Sequence, residues 1–171
     1  AMFTDPANEP STTAIDEQNF AHYGFDLRYT QSWGGSHVLT AGTTGYLGNS
    51  PRTRHVSDDI RSNSQNSQDL VFEQDRVMSY NAVFVENLFR FGNLSIVPTM
   101  RIERINYNLE EEVKNESLNR DAIDLDETFN ETLFGLGLAY QTGERSEMYA
   151  NVSESYRPQR FDDLINPNSE L

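Results

Sequence analysis

Two long stretches of alternating apolar and polar residues, joined by a two-residue turn, dominate the middle of the chain. They cover residues 77–91 and 94–108, with Gly92 and Asn93 between them. A period of two places the apolar side chains on one face of a β-strand. Glycine adopts the positive φ of a tight turn freely, and asparagine tolerates it. The pattern therefore predicts a β-hairpin whose strands are much longer than the mean of about five or six residues.

The same alternation occurs in four more segments, near residues 20–33, 37–47, 132–141 and 147–157. Short turns at residues 34–36 and 142–146 join these segments in pairs, so each strand should pair with its neighbour in sequence. We predict an all-β fold, an antiparallel up-and-down meander of about six long strands. Long strands with short turns at one end and long polar loops at the other are typical of a segment of a transmembrane β-barrel.

Residue parity predicts which side chains share a face of the sheet. One face should carry apolar residues, namely Tyr23, Phe25, Leu27, Tyr29, Ile96, Met100, Ile102, Phe134, Leu136 and Leu138. The opposite face should carry Asp26, Arg28, Arg101 and Glu103. Strand 77–91 is ambiguous, because Val83, Val85, Phe89 and Phe91 compete with Ala82, Phe84 and Leu88. The register of its partner favours the odd-numbered set, which leaves Glu86 and Arg90 on the polar face.

Two long polar segments, residues 48–76 and 109–131, separate the hairpins, and we expect them to be loops. A short helical turn over residues 109–118 is an alternative for part of the second segment. Asp121, Asp124 and Asp126 lack the spacing of an EF-hand calcium loop. The sequence therefore predicts no metal site and no cofactor.

Composition excludes several classes of function. The net charge is −14 with only 13 lysines and arginines, which argues against nucleic-acid binding. The chain has no cysteine, so it has neither a disulfide framework nor a thiolate nucleophile. It also lacks the GxSxG, HExxH and P-loop motifs. We therefore predict that the protein is not an enzyme.

Three segments, read in order, resemble one family. They are LRYTQSWGGSHVLTAGTTGYLG, AVFVENLFRFGNLSIVPTMRIERINYN and GLGLAYQTGERSEMYANVSESYRPQRFDDL. Each resembles a part of the barrel of TonB-dependent outer-membrane receptors, and within that family the segments are most similar to the ferric-citrate-type receptors. The resemblance covers most of residues 20–165 and depends on the serial order of the segments.

The resemblance implies a piece of a barrel without its plug domain. Residues 1–18, which begin with Ala-Met, would be a vector-derived or flexible N-terminal segment, and residues 19–171 a partial receptor barrel. The implied function is energised uptake of a ferric chelate, a siderophore or ferric citrate, across the bacterial outer membrane. The implied partners are the ferric chelate, outer-membrane lipid, the receptor's own plug and the TonB complex. The alternative from another class is a soluble β-sandwich or lipocalin-like small-ligand binding module, whose apolar face would be a core.

Arginine side chains are the candidate ligand-binding groups, because guanidinium recognises the carboxylates of a citrate-class chelate. The candidates on the polar face are Arg28, Arg101 and Arg157, and the loop candidates are Arg52, Arg54, His55 and Arg61. An alternative is a charge ladder on the barrel wall, in which Arg28 pairs with Asp26 or with a neighbouring strand, and Arg101 pairs with Glu86 or Glu103. The loop residues would then belong to a solvated surface of mixed charge.

Overall fold

The structure is a computed structural model that describes residues 12–58, 69–114, 121–161 and 164. Within these residues the chain forms eight β-strands. They are β1 (Thr13–Gln18), β2 (Ala21–Trp33), β3 (His37–Asn49), β4 (Arg52–Ser57), β5 (Leu70–Phe91), β6 (Leu94–Val113), β7 (Asp124–Gly143) and β8 (Ser146–Ser153). Phe161 and Leu164 belong to a helical turn. No helix in the described ranges has the length and apolar character needed to cross a membrane.

The strands form an antiparallel sheet, which confirms the predicted fold class. The order is β1-β4-β5-β6-β7-β8, and β3 pairs with both β2 and β5. Short turns join β2 to β3, β5 to β6 and β7 to β8 at the predicted positions. Gly34, Gly35 and Gly92 adopt positive φ values of 54°, 85° and 60° in two of these turns. Glycine is needed there because a Cβ atom makes this backbone conformation unfavourable.

The prediction that residues 48–76 form one polar loop is wrong in two places. Arg52–Ser57 form β4, and β5 begins at Leu70. β4 pairs in register with β1, from Thr13 opposite Ser57 to Gln18 opposite Arg52, so residues 13–18 are also in a strand. Polar residues lie on both faces of these short strands, so the sequence shows no apolar alternation there. The strands are defined by their backbone pairing. Residues 59–68 lie outside the described part of the chain.

The second polar segment is also shorter than predicted. β6 continues to Val113 and β7 begins at Asp124, so the helical turn is wrong for residues 109–113. Along β6 the buried positions continue through Leu109 to Glu111. Glu111 accepts hydrogen bonds from Gln74 Nε2 (3.3 Å) and from the backbone N–H of Ile123 (3.1 Å). A paired acid at a buried position breaks the apolar pattern without breaking the strand.

The last strand ends earlier than predicted, at Ser153, and not near residue 157. The following segment contacts Tyr107, whose hydroxyl donates to the Gln159 carbonyl at 2.7 Å. The Phe161 ring meets Tyr107 edge-on at a centroid distance of 5.2 Å. Pro158 lies within this segment and cannot donate to a strand ladder.

The chain divides into two compact units. The first contains β1, β4, β5 as far as Val77, β6 from Asn108 and β7 as far as Asp126. Its most buried side chains are Gln74, Arg76, Leu109 and Glu111. The second contains β8, most of β2 and β3, and the remainder of β5, β6 and β7; its most buried side chains are Ala82, Glu103, Ile105 and Tyr107.

The apolar face of the second unit is exposed. We call it the outward face. Its exposed members include Tyr23, Phe25, Leu27, Tyr29, Val83, Met100, Ile102, Phe134, Leu136 and Leu138. On the ambiguous strand, Val83 is 51% exposed and Ala82 only 1%, which confirms that the odd-numbered set of β5 belongs with this face. The outward face is therefore not the core of a soluble sandwich.

Candidate functional site

A depression of about 330 Å³ lies on the polar face of the second unit. The polar side chains that line it are Asp26, Arg28, Thr44, Glu86, Thr99 and Arg101. These residues come from β2, β3, β5 and β6, and alternation along each strand brings them to one face. The structure therefore brings together two of the predicted arginines, Arg28 and Arg101, and confirms that Glu86 shares their face.

Arg28 is anchored at one end of its guanidinium group. Its Nε donates to Asp26 Oδ1 at 3.0 Å, and Thr44 Oγ1 donates to Asp26 Oδ2 at 2.9 Å. The guanidinium carbon lies 5.5 Å from the centre of the Phe84 ring, within the range of a cation–π contact. The Arg28 and Asp26 side chains are 66% and 47% exposed, so solvent screens the ion pair and it contributes little to stability. The Nη groups of Arg28 have no protein acceptor in the described part of the chain.

Arg101 is held more completely. Its Nε donates to Glu103 Oε1 at 2.5 Å, and its Nη2 donates to the Tyr80 hydroxyl. Tyr80 in turn donates to Glu103 Oε1 at 2.8 Å, which closes a three-residue network. Glu103 is nearly buried, and its pairing offsets the cost of placing a carboxylate there. Both arginines therefore form the ion pairs of the charge-ladder alternative, and Arg101 makes more hydrogen bonds to the protein than Arg28 does.

The remaining predicted residues lie elsewhere. Arg157 is exposed and follows the end of β8 by four residues, so strand parity does not fix its direction. Arg52 and Arg54 lie on β4, where Arg52 Nη2 is 3.6 Å and Arg54 Nε 3.9 Å from Asp16 carboxylate oxygens. His55, also on β4, has a buried Nδ1 that has no hydrogen-bond partner among the described residues. Arg61 lies outside the described residues.

A buried polar network in the first unit was missed by sequence reasoning. Arg76 is 6% exposed. Its Nε and Nη2 both donate to Gln74 Oε1, at 3.0 and 2.7 Å. Gln74 Nε2 then donates to Glu111. The available signal was parity, since Gln74 and Arg76 continue the even-numbered face of β5, but their polarity made the segment look like a loop. Buried charges of this kind are tolerated only when they are paired.

The described ranges contain no preformed metal site, because no three His, Cys, Asp or Glu side chains there are placed to hold an ion. The site is a half-exposed wall of paired charges with aromatic contacts. Among the described residues that line it, there is no arrangement of nucleophile and base.

Known proteins that are similar to this chain include one matching family and several solved structures with a similar fold. The family described as TonB dependent receptor-like, beta-barrel matches residues 3–171. The ferric citrate transporter FecA in its unliganded form shares 18% identity and a TM-score of 0.64, with 85% of this chain and 22% of that chain covered. The alcaligin outer-membrane receptor FauA of Bordetella pertussis shares 14% identity and a TM-score of 0.59, covering 87% and 23%.

The ferric yersiniabactin uptake receptor FyuA of Yersinia pestis has a TM-score of 0.58 at 9% identity, covering 84% of this chain and 22% of that chain. No curated protein matches the sequence. The chain spans about a fifth of the length of these receptors, 22% or 23%. Its antiparallel sheet and its family match over nearly the whole chain agree. The chain belongs to the β-barrel domain of the TonB-dependent receptors, a family of transporters, not enzymes, in the bacterial outer membrane.

Proposed function

We propose that the receptor containing this chain takes up ferric chelates, of the siderophore or citrate class, across the outer membrane. The observation that carries the proposal is the family match over residues 3–171. Three proteins of similar fold are described as receptors or transporters of ferric citrate, alcaligin and ferric yersiniabactin. The exposure of the outward face favours a barrel wall that faces lipid, and it disfavours the alternative of a soluble binding module.

Arg28 is the strongest candidate for contact with the chelate. Its free Nη groups match the two oxygens of a carboxylate, and the Phe84 ring restricts its side chain. Arg101 would act differently, because Glu103 and Tyr80 already hold its Nε and Nη2 groups. We infer that Arg101 maintains the wall of the depression while Arg28 contacts the ligand.

The other proposed contacts with the chelate, at the loop end of the receptor, are Arg157, Arg52, Arg54, His55 and Arg61. Arg52 and Arg54 share one carboxylate, that of Asp16, so this pair keeps a net positive charge. Arg157 is exposed beyond β8. These properties suit an anionic chelate, whose encounter with the receptor would be accelerated by positive charge.

The barrel segment, proposed as residues 19–171, cannot energise transport by itself. In the proposed mechanism the chelate binds at the loops and the polar wall. The plug domain of the complete receptor then rearranges under force from TonB, which draws on the proton-motive force of the inner membrane. This chain contributes the wall, the face toward lipid and part of the mouth.

The proposal is tested by measuring uptake of radiolabelled ferric citrate and ferric siderophores by cells that express the complete receptor. We expect uptake of at least one ferric chelate above that of cells without the receptor, and its loss when TonB is deleted. Replacing Arg157 by Ala should weaken binding of that chelate at fixed salt, whereas replacing Arg145, in the β7–β8 turn, should not. If no ferric chelate is bound or transported, the proposed function is wrong.

A further inference from the structure

The outward face of β6 changes from apolar to polar at one point. The residues of outward parity are first apolar, namely Leu94, Ile96, Pro98, Met100 and Ile102, and then Arg104 and Asn106. At about 3.3 Å per residue and a tilt of about 40°, Arg104 lies about 25 Å above the level of Leu94 along the membrane normal. The apolar band of an outer-membrane barrel is also about 25 Å tall. Arg104 is therefore at the level where acyl chains meet lipid headgroups.

Three strands hold Arg104 and its neighbours in place. Arg104 Nε donates to Asn106 Oδ1 at 3.3 Å, and Thr128 Oγ1 donates to the same oxygen at 2.9 Å. Asn106 Nδ2 donates to Ser79 Oγ at 2.9 Å. Both ends of the Asn106 amide are thus fixed, so it orients the guanidinium of Arg104. We call Arg104, Asn106, Ser79 and Thr128 the headgroup cluster.

The charge of Arg104 is not neutralised by a neighbouring acid. Its side chain is exposed, and in the described ranges its Nη groups have no protein acceptor and no carboxylate lies within ion-pair distance. The nearby outward positions on β5 and β7 are Ser79, Asn81, Thr128 and Asn130, and none is acidic. Arg28 and Arg101, on the polar face, each have a carboxylate partner. The headgroup cluster therefore suits an anionic ligand from outside the protein.

An apolar groove begins at the same cluster. A cavity of about 330 Å³ is lined by Tyr23, Phe25, Gly45, Leu47, Ser79 and Asn81, among others. The Phe25 ring lies directly on Gly45, where a Cβ atom would collide with it. The groove exposes mostly apolar atoms, and Ser79 belongs both to the groove and to the headgroup cluster. The outward face thus places a hydrocarbon-sized groove beside an unneutralised cation.

We propose that this site binds a phosphorylated membrane lipid, with its phosphate on the headgroup cluster and one acyl chain in the groove. Guanidinium matches phosphate with two parallel hydrogen bonds, which the free Nη groups of Arg104 can supply. Burial of an acyl chain against Phe25 and Leu47 adds apolar contact area. The inference depends on which face meets the membrane and not on uptake of ferric chelates.

The test uses the complete receptor in a nonionic detergent, titrated with lipid A and examined by native mass spectrometry. We expect Arg104→Gln to weaken lipid A binding about tenfold or more, because glutamine keeps the polar tip but loses the charge. The matched control, Arg145→Gln in the β7–β8 turn, should bind as the wild type does. Heat-modifiable migration on gels verifies that each variant is folded. If Arg104→Gln is not folded, lipid A binding is measured with Arg104→Lys in its place.

Two further arms separate a lipid from free phosphate. Inorganic phosphate at millimolar concentration should not displace lipid A, and Leu47→Asn in the groove should weaken lipid A binding severalfold. Binding by folded Arg104→Gln within twofold of wild type would overturn the proposal. Complete displacement of lipid A by inorganic phosphate, or no effect of Leu47→Asn, would overturn the assignment of the groove to an acyl chain.

Discussion

Arg28 and Arg101 line the same depression, yet their hydrogen bonds give them different capacities. Arg101 is fixed from two sides by Glu103 and Tyr80. Arg28 uses only Nε, for Asp26, and lies against Phe84. A guanidinium with both Nη groups free on an aromatic surface is preorganised for an incoming carboxylate, whereas one that is held at Nε and Nη2 contributes mainly to the wall.

Replacing Arg28 by Ala in the complete receptor should therefore weaken chelate binding without unfolding the protein. We expect affinity for radiolabelled ferric citrate to fall about fivefold, because a half-exposed ion pair contributes about 1 kcal/mol. The apparent unfolding free energy should change by less than about 0.5 kcal/mol. Arg145→Ala is the control. Unchanged affinity at controlled salt would remove Arg28 from the site.

Glu111 tests the buried network of the first unit. Its replacement by Ala leaves Gln74 Nε2 and the Ile123 N–H without their acceptor. We expect a loss of about 3 kcal/mol in chemical unfolding of the complete receptor, because buried polar partners are left unpaired. Glu110→Ala, next to it on an exposed position, should cost less than about 0.5 kcal/mol. Equal effects of the two substitutions would contradict the network's role.

At the scale of the strand, apolar alternation predicts the segments that have one apolar face and misses those that do not. The hairpin of β5 and β6 follows from Val83, Phe91 and Ile102, which lie on the outward face. β4 and the distal part of β6 do not follow, because Arg52 or Glu111 stands where an apolar residue would signal a strand. Backbone pairing with a neighbour defines these segments, and a single sequence does not display that pairing.

The candidate site was predictable to a similar extent. The pairs Arg28–Asp26 and Arg101–Glu103 join residues two apart on one strand face, so parity alone indicates them. Thr44 and Tyr80, which complete the networks, come from other strands. Their partners depend on strand register, which turn geometry sets. The structure was needed to show that Arg28 has both Nη groups free whereas Arg101 uses one of them.

A glycine on the polar face of β3 provides a test at this scale. A Cβ atom at Gly42 would lie 2.5 Å from the Leu27 carbonyl oxygen and 2.6 Å from Phe84 Cζ. Gly42→Ala should therefore lower the unfolding free energy by about 1–3 kcal/mol through overpacking. At Gly137 the nearest atom is Val97 Cβ, at an ordinary 3.6 Å. Gly137→Ala should be neutral or slightly stabilising, and equal losses at both positions would contradict the strand packing.

For the whole molecule, the outward face and the sheet edges determine solubility. β2 pairs only with β3, and β8 pairs only with β7, so one side of each is unpaired among the described strands. Together with the exposed aromatic and aliphatic residues, these edges should make the isolated chain aggregate without detergent. Light scattering of the isolated chain in aqueous buffer tests this expectation. A monodisperse monomer would show that the outward face does not contact lipid.

The central claim is that one face of the sheet meets lipid and the other meets the polar interior of the receptor. This chain has no cysteine, so single cysteines on β7 can carry spin labels, provided that cysteines elsewhere in the receptor are removed. The measurement is electron paramagnetic resonance of the complete receptor in lipid vesicles, with oxygen and a water-soluble nickel chelate as competing relaxation agents.

Labels at Leu136 and Leu138 should be more accessible to oxygen, because both side chains are on the outward face. Labels at Gly137 and Ala139, which lie on the opposite face of β7, should be more accessible to the nickel chelate. The predicted result is therefore an accessibility that alternates with a period of two along β7. Accessibility without alternation, or with the two sets exchanged, would contradict the account.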